Sequence, residues 1–150
     1  MKRKAPKPHA NIERARKLPW VTVLCVGERR QGLTERHVEN GVRDVLRAAG
    51  WWHAPIIAEL VGLGRRAEPG TLDILAMEPI ESITGMMAAI GVSGFHARTW
   101  WIEVKRGDRD VTENQLQQIQ LAPKFGARVM VVDEASLLRD YLNNRHARSE

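Results

Sequence analysis

The chain has 150 residues, 43% of them hydrophobic and 27% charged, with a formal net charge of +5. That length suits one domain with its own core, needing neither disulfides nor structural zinc. The single cysteine, Cys25, excludes an intrachain disulfide framework, and the apolar runs are far too short for a membrane span. The basic N-terminus has no hydrophobic segment behind it, so no secretory signal is expected and a reducing cytoplasm is the default compartment.

The charge is unevenly placed. Residues 1–18 hold Lys2, Arg3, Lys4, Lys7, Arg14, Arg16 and Lys17 against Glu13 alone, and the remaining chain is close to neutral. With Pro6 and Pro8 inside it, this stretch reads as a basic flexible arm over 1–18, ahead of a single domain over 19–150. Such an arm attracts phosphate backbones and releases counterions on binding; a plain solubility tail is the alternative.

Trp20–Val26 is β-branched and apolar and predicts a strand. Cys25 lies within it, as a small buried hydrophobe in preference to a nucleophile. A helix is predicted after Thr34 as N-cap, with Leu33 and Val38 spanning the cap. Val38, Val42, Val45, Leu46 and Ala49 form its apolar face, and Gly50 ends it. Trp51–Leu60 reads as a strand interrupted by Pro55. Residues 62–70 read as a loop, and Thr71–Ala76 as a short strand. The stretch 77–98 is ambiguous, with a weak helix over 80–90 and an apolar patch of Met86, Met87 and Ile90. Thr99–Lys105 is a strand, 107–110 a turn, and a second helix starts at Thr112 and weakens near Pro123. Gly126 closes that helix, Ala127–Val132 is a strand, and Asp133 is expected to cap a final helix bearing Leu137, Leu138, Tyr141 and Leu142. Strands interleaved with helices predict an α/β fold around one sheet.

The chemistry concentrates in two places. In Trp101-Ile-Glu103-Val-Lys105, strand alternation puts Glu103 and Lys105 on one face while Ile102 and Val104 pack on the other. Taken alone, this is also the pattern of an ordinary cross-face ion pair. Asp73 sits in the apolar segment Thr71-Leu-Asp-Ile-Leu75, where a carboxylate needs a partner. A divalent cation would satisfy Asp73 and Glu103 together, since Mg²⁺ takes one or two carboxylates with water and phosphate. Phosphodiester hydrolysis uses such parts: a cation to polarise the phosphate and lower the pKa of water, and a lysine to add charge or orient that water.

Gly70, Asp73 after two intervening residues, and the later hydrophobic-Glu103-hydrophobic-Lys105 strand resemble the core of the PD-(D/E)xK nucleases. The upstream helix with Glu35, Gln115 opening the helix after the lysine, and the strand Gly126–Val132 extend the likeness. Together they resemble the VRR-NUC branch, the virus-type replication-repair nucleases, over residues 33–133. The resemblance implies a restriction-endonuclease-like αβββαβ core, a mixed central sheet flanked by helices. It also implies Mg²⁺- or Mn²⁺-dependent cleavage of DNA, branched or structured as in junction resolvases of phage or mobile-element replication and repair, by a homodimer. Carried over to this chain, Asp73, Glu103 and the backbone carbonyl of Val104 would hold the metal. Lys105 would act on the attacking water, Glu35 would lie near the metal, and Gln115 would support the site. The family's proline before the aspartate is Leu72 here.

Several assignments have local competitors. Glu35 also suits the positive end of its helix, and Glu39 shares its face. Gln115 completes a Thr112-x-x-Gln capping box and could serve both ends. Asp108 and Asp110 read as turn or capping residues. Arg65 and Arg66 are candidate phosphate contacts beside the arm residues Lys2, Arg3 and Lys4. Trp51/Trp52 and Trp100/Trp101 form pairs of which one member faces the core; the other could stack on a splayed base. His37, His53 and His96 lack metal-ligand spacing, which argues against a zinc hydrolase. The rival reading is a non-catalytic nucleic-acid-binding module working through the basic arm.

Overall fold

Alternation along the strands and helical spacing of aliphatic residues sort this sequence into three layers. The computed structural model describes residues 9–28, 31–56, 72–79 and 98–149. In chain order they form α1 (Ala10–Arg16), β1 (Val21–Leu24), α2 (Glu35–Ala48), β2 (Trp52–Pro55), β3 (Ile74–Glu78) and β4 (Arg98–Val104). α3 (Glu113–Leu121), a 3-10 turn (Ala122–Phe125), β5 (Ala127–Val132) and α4 (Ala135–Ser149) complete the order. From α2 to β5 this is the expected αβββαβ sequence. The fold is α/β: a five-stranded mixed sheet in the order β1-β5-β4-β3-β2, flanked by four helices. β1, β5 and β4 run parallel, while β3 and β2 are antiparallel additions on the other side.

One face of the sheet packs under α2 and α4. There Ile74 and Ala76 of β3, Trp100, Ile102 and Val104 of β4, and Met130 and Val132 of β5 meet Val38, Val42 and Leu46 of α2 and Leu138 of α4. The three α2 residues recur every fourth position, so they stand in one row on the helix. Gly41 lets α2 approach α4, because a Cβ there would press on the Cβ of Ala135. The opposite face packs under α1 and α3, with Val129 and Val131 of β5 against Ile12, Ala15, Leu116 and Ile119. Truncating a fully buried residue such as Ile102 to alanine should cost roughly 2–5 kcal/mol.

The helix boundaries follow capping chemistry. Thr34 Oγ1 accepts the N–H of His37, and His37 Nδ1 accepts the N–H of Thr34, a reciprocal box at the start of α2. Leu33 packs against the core that holds Val38. Gly50 and Gly126, both at positive φ, end α2 and the 3-10 turn after α3.

Three local expectations need correction. The flexible arm over 1–18 does not extend through 10–18. Residues 10–16 form α1, which buries Ile12 and Ala15 against the sheet. Asp110 accepts the N–H groups of Asn11 and Ile12, each at 2.9 Å, capping α1 from a distant segment. Two of the arm's basic residues, Arg14 and Arg16, pair with Glu113 and Glu13. Asp133 does not cap the last helix through its own N-terminus. Its carboxylate accepts the N–H groups of Val26 and Gly27, at 2.7 and 2.8 Å, and ties the end of β1 to β5. The strand expected over Thr71–Ala76 is shifted to Ile74–Glu78, for a reason that belongs to the site. The arm residues Lys2, Arg3 and Lys4, the loop with Arg65 and Arg66, the weak helix over 80–90 and His96 lie outside the described residues. No helix among the described residues is long and apolar enough to cross a membrane.

Candidate active site

The site forms where β4 leaves the sheet. Ile102 and Val104 are buried under α2 and α4, so the pleat turns Glu103 to the opposite face, toward α3. Lys105 continues the ladder by donating its N–H to Val132 O at 2.9 Å. Both charged side chains are buried, Glu103 at 1% and Lys105 at 7% exposure. Lys105 Nζ stands 3.0 Å from Glu103 Oε1. Burying an acid and a base side by side is costly unless each is well partnered, which sets this pair apart from surface ion pairs.

Gln115 reaches the same oxygen from α3. Its Nε2 donates to Glu103 Oε1 at 2.6 Å, while its Oε1 accepts the N–H of Thr112 at 3.0 Å. The glutamine completes the capping box with one end of its amide and reaches Glu103 with the other. Thr112 Oγ1 returns a bond by accepting the Gln115 N–H. The capping box therefore holds the amide that holds Glu103. Glu103 Oε2, by contrast, is buried without a hydrogen-bond partner. A buried, unsatisfied carboxylate oxygen is rare and calls for a reason.

Asp73 lies just before β3. Its N–H donates to Ile102 O at 3.1 Å and its carbonyl accepts the N–H of Ile56 at 2.8 Å, so its backbone is pinned to β4 and to the end of β2. Its Oδ2 accepts the N–H of Val104 at 2.7 Å. That contact explains the shifted strand boundary: a side-chain oxygen takes the place of the next backbone partner, and the β3–β4 ladder stops. It also orients β4. In an extended strand one residue's N–H and C=O point to the same edge, so the Val104 carbonyl faces the edge where Asp73 stands.

The electrostatics show acids crowded in a poorly solvated place. Burial pushes the Glu103 carboxyl up to about 8; the charge of Asp73 adds to the rise, and Lys105 offsets only part of it. Burial also raises Asp73, the Val104 N–H opposes this, and Glu35 and Glu39 raise it further. Glu35 acts on both carboxyls, whereas Glu39 acts on Asp73 and is held by Arg43 at 2.7 Å. Of the two helix acids, Glu35 is the one felt across the whole site. It is the first residue of α2 and exposed, so it is free to approach from solvent.

A cation fits this donor set. Among the described residues no three His, Cys, Asp or Glu side chains come together as a metal cage. The arrangement instead offers two carboxylates and one carbonyl, suited to an ion that keeps most of its ligands as water and phosphate. The orphaned Glu103 Oε2 is the strongest sign of fit, because a bound cation would satisfy it and lower both raised carboxyl pKa values. Cys25 is no rival nucleophile: burial and the charge of Asp133 push its thiol up to about 12.

Sequence reasoning missed the support around the site. Gly107, two residues after Lys105, passes so close to Glu28 that a Cβ there would collide with the Glu28 carbonyl. Phe125 stacks on Trp101, with ring centroids 5.8 Å apart. The glycine in the turn after Lys105 was a legible signal; the aromatic pair, 24 positions apart, was not. No family model, no characterised protein and no solved structure matches this chain.

Proposed function

We propose that the protein is a metal-dependent nuclease that hydrolyses phosphodiester bonds in DNA, of the PD-(D/E)xK type its motifs resemble. The observation that carries this reading is the buried, unpartnered Oε2 of Glu103, whose other oxygen is ion-paired to Lys105 and whose carboxyl feels the charge of Asp73. A purely structural acid would have both oxygens satisfied. Asp73, Glu103 and the Val104 carbonyl would hold Mg²⁺ or Mn²⁺, which when bound polarises a phosphoryl oxygen and makes water more acidic.

The chain's own residues do the rest. Gln115 and Lys105 fix Glu103 Oε1, so that the other oxygen is presented to the site. Lys105 holds its Nζ against Glu103, where it would orient a water or stabilise charge building on the phosphate. The Val104 N–H holds Asp73 in one rotamer. Branched or structured DNA as substrate, a role in phage or mobile-element repair, and a homodimer with two such sites complete the proposal by analogy with the family.

The test is cleavage of labelled four-way junction, flap, duplex and single-stranded DNA, with and without Mg²⁺ or Mn²⁺. Lys105→Ala is run beside the wild type. Metal-dependent cuts absent from the variant, with DNA binding retained, are expected. DNA binding without cleavage under every metal condition would favour a non-catalytic binding module.

A further inference from the structure

The apolar cluster beneath α1 and α3 draws on β1, β4, β5 and the helices and, among the described residues, includes none of β2 or β3. On this same face the β2–β3 half of the sheet shows large apolar side chains to solvent. Trp52 and Met77 are cross-strand partners, and both are exposed. At the far end of α3, Phe125 is 68% exposed and Leu121 is also exposed. Phe125 does not hang free. Its ring lies stacked on Trp101, with an interplanar angle of 28°. Trp101 is half-buried and packs against the cluster beneath α3, so it fixes the ring above it.

Trp101 also stands two residues before Glu103, on the same strand face and about 7 Å along the strand. A solvent-facing aromatic ring stacked on the residue two before Glu103 has an evident complement in a nucleobase. Every base has a π-face, and stacking needs no particular sequence. The face is available only where the base is unpaired or at a duplex end. Lys124, exposed in the same turn, adds a positive charge for the adjoining phosphate.

We propose that Phe125, seated on Trp101, is the stacking site for an unpaired base of the nucleic acid bound at the Asp73–Glu103 site. It would make single-stranded character beside the scissile phosphate the basis of substrate selection. This inference rests on the nuclease reading for its position relative to the cut, but its binding component stands alone.

The experiment uses a single-stranded oligonucleotide carrying a fluorescent adenine analogue, and a fully paired duplex of the same sequence, in the absence of metal. Wild type, Phe125→Ala and Phe125→Trp are compared. The exposure of Phe125 leaves the fold intact in both variants. Wild type and Phe125→Trp should quench the analogue. Phe125→Ala should lose the quench and bind the single strand on the order of ten-fold more weakly, with duplex binding unchanged. Equal binding and quenching by Phe125→Ala would overturn the proposal. So would a Phe125→Ala variant altered only in self-association by sedimentation, which would make the ring a contact between copies. Cleavage separates the two readings. Metal-dependent cutting of flap and duplex with unchanged preference in Phe125→Ala removes the stacking site and keeps the nuclease. Phe125-dependent quenching by a protein that cuts nothing keeps the stacking site and removes the nuclease.

Discussion

Glu103 and Glu78 are two acids held by the same central sheet, and they are treated in opposite ways. Glu78, at the end of β3, has both oxygens engaged. Oε1 meets Arg145 at 2.6 Å, and Oε2 accepts Trp100 Nε1 at 2.9 Å, with Arg98 3.7 Å away. Arg145 also lies over the rings of Trp100 and Tyr141. Charge, donors and aromatic faces close on that carboxylate from α4 and β4. Glu103 has two donors on one oxygen, none on the other, and a second acid beside it. The first arrangement is a closed clamp that joins α4 to the sheet. The second is an open valence held in place, which is what a site for a cation requires.

Isosteric amides should break this contrast most sharply. Glu103→Gln should lower the rate of metal-dependent cleavage at least about 100-fold, since the transition-state stabilisation a cation supplies is worth several kcal/mol. Glu78→Gln should leave the cleavage rate near wild type. It should instead lower stability by about 1–3 kcal/mol, because Arg145 is left facing a neutral group at a half-buried site. Single-turnover cleavage and urea unfolding read the two effects separately.

The pH dependence of stability sharpens the comparison further. Glu103 has its folded pKa at about 8, against an ordinary value of 4.5. The fold thus favours the protonated carboxyl. Stability from this group is fully present below the unfolded value and is lost as pH rises through the folded one. Asp73, raised in the same direction, adds to the loss. In the absence of metal the melting temperature of the wild type should therefore fall between about pH 5 and pH 9 by more than that of Glu103→Gln. Mn²⁺ should restore part of the loss in the wild type alone, as a ligand of the folded state does. Parallel melting curves for the two proteins would contradict the raised Glu103.

Smaller effects are expected from the supports. Gln115→Ala removes one side of the α3 capping box and one donor to Glu103, so it should cost roughly 1 kcal/mol of stability and reduce cleavage less than Glu103→Gln. Gln115→Glu keeps the cap acceptor but faces Glu103 with a second acid, and should cut more slowly than Gln115→Ala. Asp110→Ala should destabilise by about 1–2 kcal/mol through the lost cap of α1, with the chemical step unchanged. A cleavage defect in Asp110→Ala beyond its loss of folded protein would place that residue nearer the chemistry than its partners do.

Much of the site was legible in the sequence because it is built from short-range periodicity. Alternation in Ile102-Glu103-Val104-Lys105 decides which side chains share a face, and Thr112 to Gln115 is a local cap. The αβββαβ run follows from strand and helix signals of the same kind, whereas the order of the strands in the sheet does not. What was not legible depends on partners far apart in the chain. The contact of Asp73 with Val104 spans 31 positions, the cap of α1 by Asp110 spans 98 and 99, and the tie from Asp133 to Val26 spans 107. In each case one carboxylate takes backbone N–H groups from another element, and nothing local marks the acceptor. The basic residues around α1 concealed its helix in the same way: only Ile12 and Ala15, three apart, face inward.

The most direct test is cleavage of one labelled flap substrate in Mg²⁺ by the wild type, Glu103→Gln and Glu78→Gln, each confirmed folded by its melting curve. Cutting by the wild type and Glu78→Gln, with Glu103→Gln inactive, is the predicted result. Equal cutting by all three, or loss of activity in Glu78→Gln with Glu103→Gln still active, would contradict the assignment of the open carboxylate to the metal.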